Sequence, residues 1–224
     1  MNATDPGDGG SATLAEVVAS HGLAIDAERL EWLDAYRATL WAWNERLNLT
    51  RHTTLEKFVA RDLFDTLRLA DLIDEGHAVL DIGSGGGVPG LPLAVLRPDL
   101  KVSVCDSVAK KANALGAIVE ELELPVTVFA GRAEHLVAEG SPAPRFDTLV
   151  ARAVAPMWKF LFWLKPHRDR FDELLLIKGP AWVEERGEAR HRGLMKGFEL
   201  RRAATYVTPG TDAETTVLSL TPRV

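Results

Sequence analysis

The chain has few of the residues that staple or anchor a protein. Cys105 is the single cysteine among 224 residues, which rules out an internal disulfide and leaves too few thiols for a cysteine-rich zinc site. No apolar run approaches the roughly 18 residues that a membrane span requires. The first ten residues are acidic and glycine-rich and lack the basic-then-apolar layout of a signal peptide. They read as a disordered tail over 1–11, and the chain as cytoplasmic. No internal repeat is present, no low-complexity segment follows the tail, and no cluster suggests a metal.

What remains is the composition of a folded domain. Apolar residues make up 46% and charged residues 26%, which excludes disordered and fibrous classes. The length suits one well-buried core with a small appendage. A net charge of −6 weighs against a nucleic-acid partner, but the total hides an asymmetry. Residues 145–202 carry 13 Lys+Arg against 8 Asp+Glu, a local +5, while the rest of the chain is −11.

Residues 79–90 read Val-Leu-Asp-Ile-Gly-Ser-Gly-Gly-Gly-Val-Pro-Gly, an apolar strand running through Asp81 into a glycine turn and a proline suited to a helix start. Gly83, Gly85 and Gly87 permit positive φ and close approach of a ligand, with free N–H groups expected at the helix start. Two cofactor classes fit. Gly85-x-Gly87-x-x-Gly90, with Asp106 about 20 residues on, matches a dinucleotide fingerprint and points to NAD. Asp81 opposes it, because a carboxylate two residues before Gly83 sets negative charge near a pyrophosphate. S-Adenosylmethionine carries a sulfonium and an amino group and no phosphate, so it suits an acid there. The acid-x-Gly-x-Gly-x-Gly pattern resembles the first motif of class I methyltransferases.

Helical spacing through Leu14, Val17 and Val18, then through Leu30, Leu33, Tyr36, Leu40 and Trp41, predicts two helices. A third is expected over 54–73. Short β-branched strands then alternate with helices: 78–82, 102–105, 126–129, 148–150 and 173–177. Segments 198–207 and 215–220 pair as an antiparallel hairpin around Pro209-Gly210. Seven strands result, in an α/β fold with a Rossmann-like, mostly parallel sheet. Its strand ends set Gly83, Asp106, Arg132 and Arg152 on one rim.

Asp106 ends the second strand, where its carboxylate suits ribose hydroxyls or the cap of the next helix. Ala133 and Glu134 follow the third strand, near an adenine edge or in an acidic first helical turn. Arg152 closes the fourth strand beside the position of a transferable methyl, where a guanidinium can orient a base. No Asn/Asp-Pro-Pro-aromatic run follows that strand, and Cys105 lies on a different strand and reads as a buried hydrophobe. The acceptor is therefore an atom needing neither deprotonation nor covalent activation, as guanine N7 is. Trp41 and Trp43 can stack on a base or pack in the core. Arg132, Lys165 and Lys178 are expected to contact RNA phosphate.

These segments carry a resemblance. Trp43 to Thr50, Asp81 to Gly90, Asp106-Ser107 with Lys110-Lys111, Arg132-Ala133-Glu134, Arg152-Ala153 and Lys178-Gly179 stand in the order seen in the RsmG family, also called GidB. The resemblance implies a helical extension over 12–75 and a methyltransferase domain over 76–224. It implies methyl transfer from S-adenosylmethionine to N7 of a guanine in 16S rRNA, guanine 527 in that RNA's usual numbering, by a monomer acting on the RNA or the small ribosomal subunit. Matched to this chain, the family's cofactor positions are Gly83, Val88, Ala133, Glu134 and Arg152. Three positions depart from the pattern: Gly86 stands where the family usually has proline, Asp62 where it commonly has histidine, and the last strand begins with Glu214-Thr215-Thr216. A divergent acceptor, an NAD-dependent oxidoreductase and a non-catalytic ribosome-binding module are the alternatives.

Overall fold

The computed structural model of the protein describes residues 12–223; the tail expected at 1–11 lies outside them. Helix α1 (Leu14–Ser20) starts on a reciprocal cap. The Thr13 hydroxyl accepts from the Glu16 N–H, and the Glu16 carboxylate accepts from the Thr13 N–H. Asp26 caps α2 (Ala27–Asn44), whose Leu33, Tyr36 and Leu40 are fully buried. Each such side chain contributes roughly 1.5–3 kcal/mol, so α2 is anchored to the rest of the molecule rather than appended to it.

The third helical stretch differs from the single helix expected. It consists of α3 (Leu55–Lys57), a π-helical segment (Phe58–Leu63) and α4 (Phe64–Ala70). A π-turn accommodates one residue more than an α-turn. The wider turn keeps Phe58, Val59 and Leu63 in the core while the Asp62 and Asp65 carboxylates both reach Arg152. Apolar spacing alone does not register such an insertion.

Strands β1 (Ala78–Ile82), β2 (Lys101–Asp106), β3 (Thr127–Ala130), β4 (Thr148–Arg152) and β5 (Glu173–Lys178) are parallel, and β6 (Phe198–Val207) with β7 (Glu214–Pro222) forms the antiparallel hairpin. Their order is β3-β2-β1-β4-β5-β7-β6. Several strands run past their apolar stretches, so Asp106, Arg152 and Lys178 are the last residues of strands rather than parts of loops. Helices α5 (Gly90–Leu96), α6 (Ala109–Glu121), α7 (Ala133–Leu136), α8 (Met157–Leu164) and α9 (Trp182–His191) complete the layers. Sequence pattern does not reveal α8 or α9. The first, Met-Trp-Lys-Phe-Leu-Phe-Trp-Leu, is apolar nearly all round; the second buries only Trp182 and Ala189.

Strand alternation divides the interior into two cores. Val79, Val102, Val104, Val150, Leu175 and Val217 pack with the N-terminal helices, α5 and α6. Leu80, Leu149, Leu174, Leu176, Leu218 and Leu220 pack with α7, α8 and α9. Trp41 and Trp43 are half-buried against the first core, the packing alternative of the two expected for them. Because β1 lies between β2 and β4, the strand order reverses beside it and opens a crevice at the carboxyl ends, where α/β sheets bind ligands.

Candidate active site

Asp81 is the hub of the glycine turn. Its side chain is fully buried, Oδ2 accepts from the Gly90 N–H at 3.0 Å, and Oδ1 has no partner among the described residues. Burial raises its pKa to about 6. It lies under the turn and lines no cavity described below, so it shapes the main chain instead of facing a ligand. Asp106 does similar work from β2: Oδ2 accepts from the Gly85 N–H at 3.1 Å and Oδ1 from the Val108 N–H at 2.8 Å.

Most N–H groups of the turn and of the helix start, where free donors are expected, are engaged; those of Gly86 and Val88 have no partner among the described residues. Gly83 and Ser84 donate to the Cys105 carbonyl, Gly87 donates to the Ser84 carbonyl, and Gly85 and Gly90 donate to the two aspartates. Internal bonding of this kind defines the turn's shape and leaves few of the donors that a pyrophosphate needs. Gly83, Gly85 and Gly87 all have positive φ. A Cβ on Gly83 would lie 2.7 Å from a Val154 methyl, so only glycine fits there. Tyr36 braces the turn from α2, its hydroxyl donating to the Gly86 carbonyl at 2.8 Å. A Cβ at Gly86 would meet a Leu40 methyl at 2.8 Å, so the turn is tight at this position despite the missing proline.

Across β1, Arg152 is held by side chains. Nη2 donates to Asp62 Oδ1 at 2.6 Å, and Nη1 to the Arg61 carbonyl at 3.1 Å and to Asp65 Oδ2 at 3.3 Å. Burial alone lowers the pKa of a guanidinium, but Asp62 and Asp65 outweigh it and raise that of Arg152. Asp62 Oδ1 also meets His52 Nδ1 at 2.7 Å. Tyr206, from the hairpin, donates to Asp65 Oδ1 at 2.8 Å. Burial raises the Asp65 pKa against the opposing pull of Arg152 and Tyr206. Ala153, next in the chain, has φ +55, a conformation that costs a residue with a Cβ.

Three cavities meet along this rim. One of about 690 Å³ is lined by Asn48, Thr50, Gly83, Val88, Lys111 and Arg152, among others. A second, of about 560 Å³, shares His52, Arg152 and Ala153 with it and extends past Asp65 and Lys178 to Glu214. A third, of about 90 Å³, lies between Gly83, Ser107, Ala133, Glu134 and Trp163. Gly83 is common to the first and third, so an elongated molecule crossing the turn can occupy both. S-Adenosylmethionine, with an adenosine end and an amino-acid end, is an elongated molecule of this kind. When bound there, it supplies a sulfonium-activated methyl group.

The residues expected to meet RNA are dispersed. Arg132 is half exposed, paired with Glu134 and set over the Trp163 ring. Lys178 is largely buried, its Nζ donating to the Ala155 carbonyl at 2.6 Å and pairing with Glu185 at 2.8 Å. Two of its three donors are thus already used. Lys165 follows α8 in a short 3₁₀ turn and lines none of the three cavities, because α8 carries it away from the rim after β4. Sequence reasoning assigned no site role to His52, Arg61, Lys111 or Trp163. The Trp43 to Thr50 segment was a signal for the loop, whose shape Asn44 fixes by accepting from the N–H groups of Leu49 and Thr50.

A seven-stranded sheet of this order, with a glycine turn after its first strand and a buried acid beneath that turn, is the fold of a class I S-adenosylmethionine-dependent methyltransferase. Solved structures agree on the fold. TrmK from M. capricolum, in complex with S-adenosyl-homocysteine, superposes with a TM-score of 0.54 at 16% identity over 71% of this chain and 68% of that one. A methyltransferase from Pyrococcus furiosus gives 0.55 at 12% identity over 85% and 98%. The family model described as rRNA small subunit methyltransferase G matches residues 29–210. A Rhodopirellula baltica protein of that name is 55% identical over 83% of this chain and 78% of its own length. One from a Roseiflexus species is 36% identical over 88% and 85%. The chain belongs to the rRNA small subunit methyltransferase G family.

Proposed function

We propose that the protein transfers the methyl group of S-adenosylmethionine to N7 of one guanine in 16S rRNA, guanine 527 on the family's pattern. The observation that carries this reading is the absence of covalent machinery at the rim. Cys105 is buried within β2, and burial raises its thiol pKa to about 12, so it cannot serve as a nucleophile. That disfavours a ring carbon needing covalent activation and suits an atom with its own free lone pair, as N7 has. Gly83, Gly85, Gly87 and Val88 shape the cofactor's bed, Asp81 and Asp106 hold that bed, and Ala133 and Glu134 meet its adenosine end. Arg152, immobilised by two carboxylates, orients the base, so the chemical step needs mainly alignment. Methylation leaves the purine cationic, and Asp65 behind Arg152 offsets that charge. In this reading Arg132 meets RNA phosphate, and Lys178 does so through the one donor it has left.

The test is methyl transfer from labelled S-adenosylmethionine to small ribosomal subunits from a strain lacking this modification, followed by nucleoside analysis. Label in 7-methylguanosine at one position is expected. Label in any other nucleoside, or none despite cofactor binding, overturns the assignment. Arg152→Ala with full turnover would remove its orienting role.

A further inference from the structure

The second cavity is lined by both a cation and a carboxylate with unused hydrogen-bonding capacity. Of its three carboxylates, two are engaged: Asp65 by Arg152 and Tyr206, and Glu185 by Lys178 and the Met157 N–H. Glu214 is exposed at the start of β7, lines the same cavity, and has no side-chain partner among the described residues. Arg61 lines it too, and only its Nη1 is used, donating to the Thr208 hydroxyl at 3.3 Å. The hydroxyl that accepts from Arg61 belongs to a threonine pair that ends next to Glu214 in the chain. Thr208 Oγ1 lies 3.0 Å from Thr215 Oγ1, and Thr215 adjoins Glu214. Both threonines are buried, so the corner that presents Arg61 and Glu214 is fixed even though their charged ends are open.

We infer that this corner is the subsite for the acceptor base, with Arg61 and Glu214 as the pair that selects guanine. The inference rests on the proposed guanine-methylating activity. Guanine presents one acceptor, O6, beside two donors, the N1 and N2 hydrogens. Arg61 donates to O6, and the Glu214 carboxylate accepts from N1–H and N2–H. Adenine reverses the pattern: its amino group would face the guanidinium, and its unprotonated N1 would face the carboxylate, so both contacts become repulsive. Engaging this edge leaves N7 outside the contact, free to align with the methyl group. At about 560 Å³, the cavity has room for a base turned out of its stack.

The deciding experiment measures methyl transfer to unmodified small ribosomal subunits by the wild-type protein, Glu214→Gln and Glu214→Ala, with the melting shift given by S-adenosylhomocysteine as control. The Gln variant is expected to lose about 10- to 100-fold in kcat/KM with the melting shift unchanged. Subunits reconstituted with inosine at the target, which lacks the 2-amino group, add a second reading. They should be poorer substrates for the wild type, while Glu214→Ala should discriminate less between inosine and guanine. A Gln variant within twofold of wild type, or equal discrimination against inosine by wild type and Glu214→Ala, overturns the pair. If the wild type itself makes no 7-methylguanosine, the proposed activity fails and the inference falls with it.

Discussion

The two sides of the rim are built from different materials. On the cofactor side, Asp81 and Asp106 hold main-chain N–H groups and neither pairs with a cation among the described residues. On the acceptor side, Arg152 is held by side chains 90 and 87 positions away, and Tyr206 reaches Asp65 across 141. A main-chain bed whose N–H groups are mostly satisfied before any ligand arrives relies on shape more than on open donors. A side-chain cage carries buried charge, and removing one member leaves another uncompensated. Damage on one side should therefore appear first as lost fit, and on the other as lost stability.

The most forceful way to break this contrast is Asp62→Ala. It strips Arg152 of its shortest ion pair, and about 3–5 kcal/mol of folding stability is expected to go, measured by urea unfolding. Asp81→Asn probes the other side through pH. Because its folded pKa is about 6 against about 3.9 unfolded, the folded state holds the proton more tightly. Its contribution to stability is complete below about pH 4 and is lost as pH rises through 6. That loss is on the order of 2–3 kcal/mol, and the Asn variant should lack it, giving a flatter stability profile between pH 4 and 6.

Gly83→Ala places a Cβ against Val154 at positive φ and should cost about 2 kcal/mol, with the melting shift from S-adenosylhomocysteine lost before the fold is. Tyr36→Phe removes the brace on Gly86 and leaves a buried carbonyl unpaired, with an expected cost of about 1–2 kcal/mol in unfolding measurements. Lys165→Ala should sharpen the contrast by doing nothing: KM for small subunits should stay at the wild-type value. A rise in that KM would restore Lys165 to the RNA-facing surface.

The same contrast governs what the sequence reveals. Asp81 to Gly90 is a contiguous run whose residues act on one another, so the turn, its strand and its cofactor class are legible in order. The strand alternation is local too, and it fixes the two-sided sheet. The Asp62–Arg152–Asp65–Tyr206 cage is assembled from residues far apart in the chain, and no local pattern pairs them. At the sequence level Asp62 is merely a departure at a histidine position; in the folded protein it joins His52 to Arg152. Helix α8 is hidden for a different reason. Residues buried against the sheet alternate with Phe162, which is 62% exposed, so the apolar signal has no clear period. Most of the donors expected at the helix start are already engaged, which spacing does not show because it gives the positions of N–H groups but not their partners.

The π-helical segment has one more consequence. Helix faces keep their phase only while each turn holds the same number of residues, and the wide turn at Phe58–Leu63 resets the phase between α3 and α4. Side chains before it are indexed to the N-terminal helices, and those after it to the sheet edge and the hairpin. Shortening this segment by one residue would give a more regular helix, but it would rotate either the core-facing residues or the carboxylates by about 100°. Such a deletion would be a gain for the helix and a loss for the site, so the irregularity acts as a timing mark that keeps two separately built halves in step.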